Sequence, residues 1–246
     1  MVDSLAGSAD LRKGLYSSVP EWAKTMPMLH QSVAKVLVSL SPLHAWHKAF
    51  SPEPEKFDDA RNFGQVCHSL LLGGKNLVIV DAPDWRTAAA KEQREAALAD
   101  GKLPVLARRA EEVGKLLIHV EAALVRHGLF EAFRDSQTEV TAIWKSSGVW
   151  CQGTMDSLSL PKKFSRKKKG LILDFKFTGV AATLKTCERR CIELGYDIQE
   201  AAYREAIQTI FPKLAGRVKS VFVFVEVDPP HVVRIMPFAG SMRTSG

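Results

Sequence analysis

The stretch that decides the fold is Leu171-Ile172-Leu173-Asp174-Phe175-Lys176-Phe177. An apolar run of this length that passes into alternation predicts a β-strand. Strand residues two apart share a face, so Asp174 and Lys176 project side by side. Upstream, Glu139 to Trp144 reads as a strand, Ser146-Ser147-Gly148 as a turn and Val149 to Leu160 as the pairing strand, with Asp156 near its end. Downstream, Leu184 to about Phe211 is helical and interrupted near Gly195. Val218 to Val227 and His231 to Pro237 are strands, joined by a turn at Asp228-Pro229-Pro230. The order strand, strand, strand, helix, strand, strand predicts an α/β core over residues 136–246.

The preceding part is mostly helical. Leu29 to about Val38 has helical periodicity, and Ser41-Pro42 opens a second helix. Asp58 to about Leu72 is a third, stopped at Gly73-Gly74. Leu77 to Val80 fits a short strand, residues 87–99 a helix, and Ala107 to about Phe133 one long amphipathic helix. Residues 1–26 lack a pattern and read as a loose arm. Residues 27–246 then form one domain, 27–135 mostly helical; a two-domain split stays open, although no long linker supports it.

Composition narrows the function classes. The chain has 246 residues, 46% hydrophobic and 25% charged, which excludes collagen-like, coiled-coil and largely disordered chains. Its longest apolar run, Ser220 to Val227, falls far short of the ~18 residues a membrane span needs. The first residues lack signal-peptide order, and four cysteines in such a length make no disulfide scaffold. A cytoplasmic protein without a membrane partner is the expectation. The net charge is +7, and the run Lys162, Lys163, Arg166, Lys167, Lys168, Lys169 supplies six cations with no anion. One basic cluster on a nearly neutral body suits a polyanion; a solvated loop or a targeting signal are the plainer readings.

Asp156, Asp174 and Lys176 suggest chemistry if they meet. Two carboxylates suit a hard cation such as magnesium. A neighbouring lysine can orient water or neutralise a phosphoryl oxygen. This is the minimal equipment for metal-assisted phosphodiester hydrolysis, and a surface ion pair is the plain alternative. Tyr196, Gln199 and Tyr203, spaced by three and four, share one helix face. Tyrosines there fit a core stripe, whereas a buried Gln199 needs hydrogen-bond partners.

The ordered set resembles the RecB-like branch of the PD-(D/E)xK nuclease superfamily, and within it the C-terminal nuclease of the exodeoxyribonuclease VIII (RecE-type) recombination exonucleases. The resemblance runs roughly from 28 to 235. It is carried by Ser32, Ser41-Pro42 and Trp46, by the Gly64-x-x-x-His68 helix, Gly101-Lys102, Glu139 with Trp144, Asp156, Asp174-Phe175-Lys176 with Thr178, and Tyr196 to Tyr203. It implies a restriction-endonuclease-like mixed central sheet flanked by helices, with a helical N-terminal portion. It implies that Asp156, Asp174, Glu139, His68 and the backbone carbonyl of Phe175 hold Mg2+, for which Mn2+ substitutes. Lys176 would be the catalytic lysine, with Gln199 and Tyr203 supporting the site or touching the DNA backbone. Left to themselves, His68 also reads as a core histidine and Glu139 as a strand-edge charge.

The implied activity is 5′ to 3′ degradation of linear double-stranded DNA, leaving 5′-phosphate products and 3′ single strands. A homo-oligomeric ring and a single-strand annealing protein are the implied partners. Departures are Thr154-Met155 before the first Asp, Phe177 in place of the first Thr after the Lys, a longer and more basic insertion before Asp174, and an end soon after Pro237 where the family continues with a helix. The scattered Cys67, Cys151, Cys187 and Cys191 do not match the family's iron–sulfur cluster, and no Walker A string implies ATP use. Another nuclease polarity, a single-stranded or branched substrate, a non-catalytic DNA-binding module and a basic scaffold remain the competing readings.

Overall fold

The computed structural model describes residues 13–51, 57–74, 76–162 and 169–238. Its centre is a mixed sheet of seven strands. The strands are β1 (Gly14–Tyr16), β2 (Leu29–His30), β5 (Gln137–Ser146), β6 (Val149–Ser159), β7 (Gly170–Thr178), β8 (Val218–Glu226) and β9 (Val233–Pro237). They run in the order β1-β5-β6-β7-β8-β9, with β2 also on β6. β7 and β8 are parallel, Asp174 opposite Phe222 and Lys176 opposite Phe224. A parallel pair needs a long crossover, here α8 (Leu184–Glu193) and α9 (Tyr196–Ile210). Gly195 makes the corner between them at φ 61°, a left-handed conformation suited to glycine.

The helices cover both faces. α4 (Asp59–Leu71) and α6 (Ala107–Arg126) bury Phe63, Val66, Val113, Leu116 and Val120 against Leu173, Phe175 and Val223. On the other face, Tyr203, Ala206 and Ile207 of α9 pack on Val140, Trp144, Met155 and Ile172. Phe175 and Ile172 lie in opposite cores, so β7 is buried on both sides and reads as a continuous apolar run. α8 closes a third cluster with Cys187 and Cys191 against Phe222 and Phe224. This is the restriction-endonuclease-like α/β sandwich.

The helical part follows its caps: Ser41 caps α3 (Pro42–Phe50), Asp58 caps α4 and Thr87 caps α5 (Ala88–Ala99). α2 (Gln31–Ser39) precedes α3 in a helical hairpin. Four details depart from the sequence pattern. Residues 13–26, read as loose, contain β1 on the sheet edge and the short α1 (Glu21–Lys24). Leu29–His30 pairs with Cys151–Gln152 instead of starting α2. The long helix ends before Gly128, whose φ is 66°, and α7 (Phe130–Arg134) follows. Leu103–Leu106 is an unforeseen strand, β4, parallel to β3 (Leu77–Val80). Pro104 inside it argues against a strand by composition, yet a two-stranded sheet leaves an edge where proline is tolerated.

Candidate active site

The sheet itself makes the site. β5 pairs along one edge of β6. The other edge is shared: β2 takes Cys151–Gln152 and β7 takes Ser157–Ser159. Residues 153–156 between them have no strand partner on that side, and such exposed backbone groups must be satisfied otherwise. Two side chains do it. The Tyr203 hydroxyl donates to the Thr154 carbonyl oxygen. The Phe175 N–H, past the last β6–β7 pair, donates to Asp156 Oδ2 at 2.8 Å. Asp156 is thereby fixed beside the Asp174-Phe175-Lys176 segment of β7. Glu139 lies opposite Asp156 in the β5–β6 register, between the pairs Thr138–Ser157 and Val140–Met155. Its φ of 51° is unusual for a non-glycine residue.

Helices supply the rest. His68 on α4 approaches Asp156 Oδ2 through Nε2 at 3.0 Å. From the opposite face, Gln199 on α9 uses its whole hydrogen-bonding capacity. Nε2 donates to Asp174 Oδ2 at 2.8 Å and to the Tyr203 hydroxyl at 3.0 Å. Oε1 accepts from Lys35 Nζ at 3.0 Å and Lys176 Nζ at 3.3 Å. A buried amide with four partners is fully satisfied. Lys176 also pairs with Asp174 Oδ1. Its ammonium lies 4.4 Å from the centre of the Tyr196 ring, and that of Lys35 lies at 5.0 Å, both within cation–π range.

Burial sets the electrostatics. Desolvation pushes the Asp174 carboxyl up to about 6, against the pull of Lys176 and with the help of Asp156. Burial alone would lower the Lys176 pKa, but Asp174 and Asp156 outweigh it and hold the ammonium protonated above its ordinary value. Lys35 falls to about 8, through burial first and then repulsion from Lys176. His68 moves up: its burial is overcome by the bond to Asp156 and by the charges of Asp156, Glu139 and Asp174. At neutral pH the site holds buried charges of both signs.

A cleft of about 570 Å³ opens onto this arrangement, lined in part by His68, Glu139, Phe175, Lys176 and Tyr196. Asp156, Asp174, Lys176, His68, Glu139, Gln199 and Tyr203 therefore converge from β5, β6, β7, α4 and α9. Tyr203 is 1% exposed and stands behind Gln199, so it is a positioning residue. Phe175 reaches the site through its N–H, while its ring packs in the core against Phe133 at 5.3 Å between centroids. Lys162 and Lys169 frame the β6–β7 connection, and Lys163, Arg166, Lys167 and Lys168 lie outside the described residues. Ser159 is three residues beyond Asp156, so this connection begins about 10 Å along the strand from the site.

Lys35 was not legible in the sequence. It stands 164 positions from Gln199, and only the tertiary fold joins them.

The donor chemistry fits a hard cation. Asp174 Oδ1 is a buried carboxylate oxygen whose partner is the Lys176 ammonium, and Asp156 and Glu139 add further oxygens. Among the described residues, however, no three His, Cys, Asp or Glu side chains stand as a ready-made cage. Lys176 and Gln199 hold Asp174, and His68 and Phe175 hold Asp156.

The fold has a counterpart among solved structures. A crystal structure of a "putative exonuclease" from Eubacterium rectale superposes with a TM-score of 0.55 at 15% sequence identity, over 86% of this chain and 73% of that one. At that identity the likeness is one of fold. The crystal structure of SSO0001, at 12% identity over 71% of this chain and 76% of that one, has a TM-score of 0.25 and carries no argument. No protein-family model and no curated protein matches the chain. No described helix is long and apolar enough to cross a membrane.

Proposed function

We propose that this protein is a Mg2+-dependent deoxyribonuclease of the PD-(D/E)xK type. The observation that carries the reading is the meeting of Asp156, Asp174 and Lys176 at the unpaired segment of β6, with Gln199 bridging Asp174 and Lys176. Asp156, Asp174 and Glu139 would hold the ion, with His68 and the Phe175 carbonyl as the remaining donors. A divalent ion there would stabilise charge developing on the phosphoryl oxygens. Lys176, kept protonated by two carboxylates, neutralises a phosphate oxygen and orients the attacking water as a cation. Water adds to phosphorus, the bond to the 3′ oxygen breaks, and that oxygen leaves with a proton. The products are a 5′-phosphate and a 3′-hydroxyl.

The finer reading is a 5′ to 3′ exonuclease on linear duplex DNA that leaves 3′ single strands for recombination. It would work as a homo-oligomeric ring with a single-strand annealing partner in the cytoplasm. The basic connection between β6 and β7 would lie on the phosphate backbone. Its support is the site, the basic run and a fold shared with a structure described as an exonuclease. The test is incubation of 5′- and 3′-labelled linear duplex with the protein in magnesium and in EDTA. Degradation in magnesium alone, absent in Asp174→Ala and Lys176→Ala variants that melt cooperatively, is the expected result. Full activity of both variants overturns the assignment.

A further inference from the structure

The α2–α3 hairpin leaves an apolar surface uncovered by the described residues. Leu43 is 73%, Phe50 65%, Leu40 64% and Trp46 55% exposed. A large exposed apolar patch marks an interaction site. Trp46 and Phe50 lie side by side, ring centroids 5.8 Å apart. Beneath them runs a groove of about 1260 Å³ between α3 and the chain entering β2, lined in part by Lys24, His30, His44, His47 and Lys48.

Charge selects the occupant. The chain has 27 carboxylate residues in 246, about one in nine, yet the 31 residues from Trp22 to Pro52 contain none. They carry Lys24, which pairs with Glu21 just outside the stretch, and Lys35, Lys48 and three histidines. An apolar face between copies would tolerate the rings. An isologous pairing, however, would set these cations against their own copies. A ligand with flat apolar rings and a negatively charged backbone satisfies both features: unpaired nucleobases stack on aromatic side chains while phosphates follow cations. Duplex DNA stacks its bases internally and offers no such faces.

One helix serves both places: Ser32, Val33 and Leu37 of α2 line the groove, while its Lys35 touches Gln199 and Tyr196, and β2 is paired with Cys151–Gln152 of β6.

We propose that this hairpin and groove hold a single nucleic-acid strand next to the active site, its bases stacked on Trp46 and Phe50 and its phosphates along Lys24 and Lys48. The proposal rests on the nuclease reading and adds to it a strand-holding surface outside the catalytic residues.

The test uses the full chain in EDTA. A fluorescein-labelled oligothymidylate is titrated by anisotropy, and assembly size is read by sedimentation velocity. Trp46→Ala/Phe50→Ala should weaken binding at least tenfold, as expected when two stacking rings are lost, with assembly size unchanged. Trp46→Phe should bind within about threefold of the parent. Unchanged affinity in the double variant overturns the proposal. So does any change in assembly size, which assigns the face to a second copy of this chain. Lys176→Ala separates the two readings. It should lose cleavage in magnesium and keep the oligonucleotide. Retained cleavage there sinks the nuclease assignment, whatever the binding titration shows.

Discussion

Gly153 is the position where a single methyl group should reach the site from behind. It lies on the part of β6 that has no strand partner on the β7 side, and its backbone suits any residue. A Cβ there would fall 2.8 Å from Tyr203 Cε1 and 3.3 Å from Cδ1, whereas ordinary contact begins at 3.4 Å. The ring must retreat by about 0.6 Å, and it is not free to do so. It is 1% exposed, packed among Trp144, Met155 and Ile207, and held at its tip by Thr154 and Gln199. Overpacking of this kind costs about 1–3 kcal/mol. At this chain length each kcal/mol is about 2–4 °C, so Gly153→Ala should melt roughly 2–12 °C lower. The ring cannot move without dragging the Gln199 amide off Asp174, so nuclease activity measured well below the melt should also fall. A double-mutant cycle with Tyr203→Leu isolates the contact: the cost of Gly153→Ala should shrink by at least about 0.5 kcal/mol when the ring is gone. A Gly153→Ala protein with parental melting temperature and parental activity refutes the reasoning.

Other outcomes follow from the same geometry. Gly64 sits inside α4, where glycine costs about 1 kcal/mol against alanine; its added Cβ would meet only Phe177 Cβ at 3.9 Å. Gly64→Ala should therefore raise the melting temperature by about 2–4 °C. It should also raise KM for DNA, because the methyl enters the cleft beside His68; steady-state kinetics and a thermal melt on one preparation check both. The four cysteines are free and buried, and burial pushes the Cys67 and Cys191 thiols up to about 12. Ellman's reagent at pH 8 should label almost none of them in the native protein and all four in guanidinium. Glu112 is held below its ordinary carboxyl pKa: slight burial works against this, but Arg109 at 2.7 Å and Arg108 at 3.2 Å prevail. A depressed carboxylate stabilises above its unfolded pKa and loses that contribution as pH falls through the folded value. Glu112→Gln should therefore be less stable by about 0.2–1 kcal/mol at pH 7, and the difference should shrink progressively in melts taken below pH 4.5.

The parts of the fold set by local pattern were legible. β7 with its Asp174-Phe175-Lys176 segment, the β5–β6 hairpin around Gly148, the α3 cap at Ser41 and the corner at Gly195 all follow from periodicity, turn chemistry and capping. The site was legible as an ordered list, because Asp156, Asp174, Lys176 and Gln199 fall on elements whose faces the pattern defines. What escaped depends on partners far away in the chain. Leu29–His30 is a strand only because β6 has an open edge, and β4 exists only because β3 stands beside it. Lys35 joins the site through a helix packed across the sheet. Tyr203 illustrates the opposite limit: its stripe position indicated a core residue, and it is one, yet its hydroxyl also organises the amide that grips Asp174.

The arrangement of Gln199 has a consequence for synthesis of the protein. Its side chain gathers Lys35 from the first helical hairpin and Asp174 and Lys176 from the middle of the sheet, so the constellation spans residues 35 to 203. Contacts so distant in sequence form late and slowly. A chain emerging from the ribosome presents its acidic residues well before the amide that fixes them. A half-made molecule thus carries the acidic residues of the site without their geometry, which only the completed fold supplies.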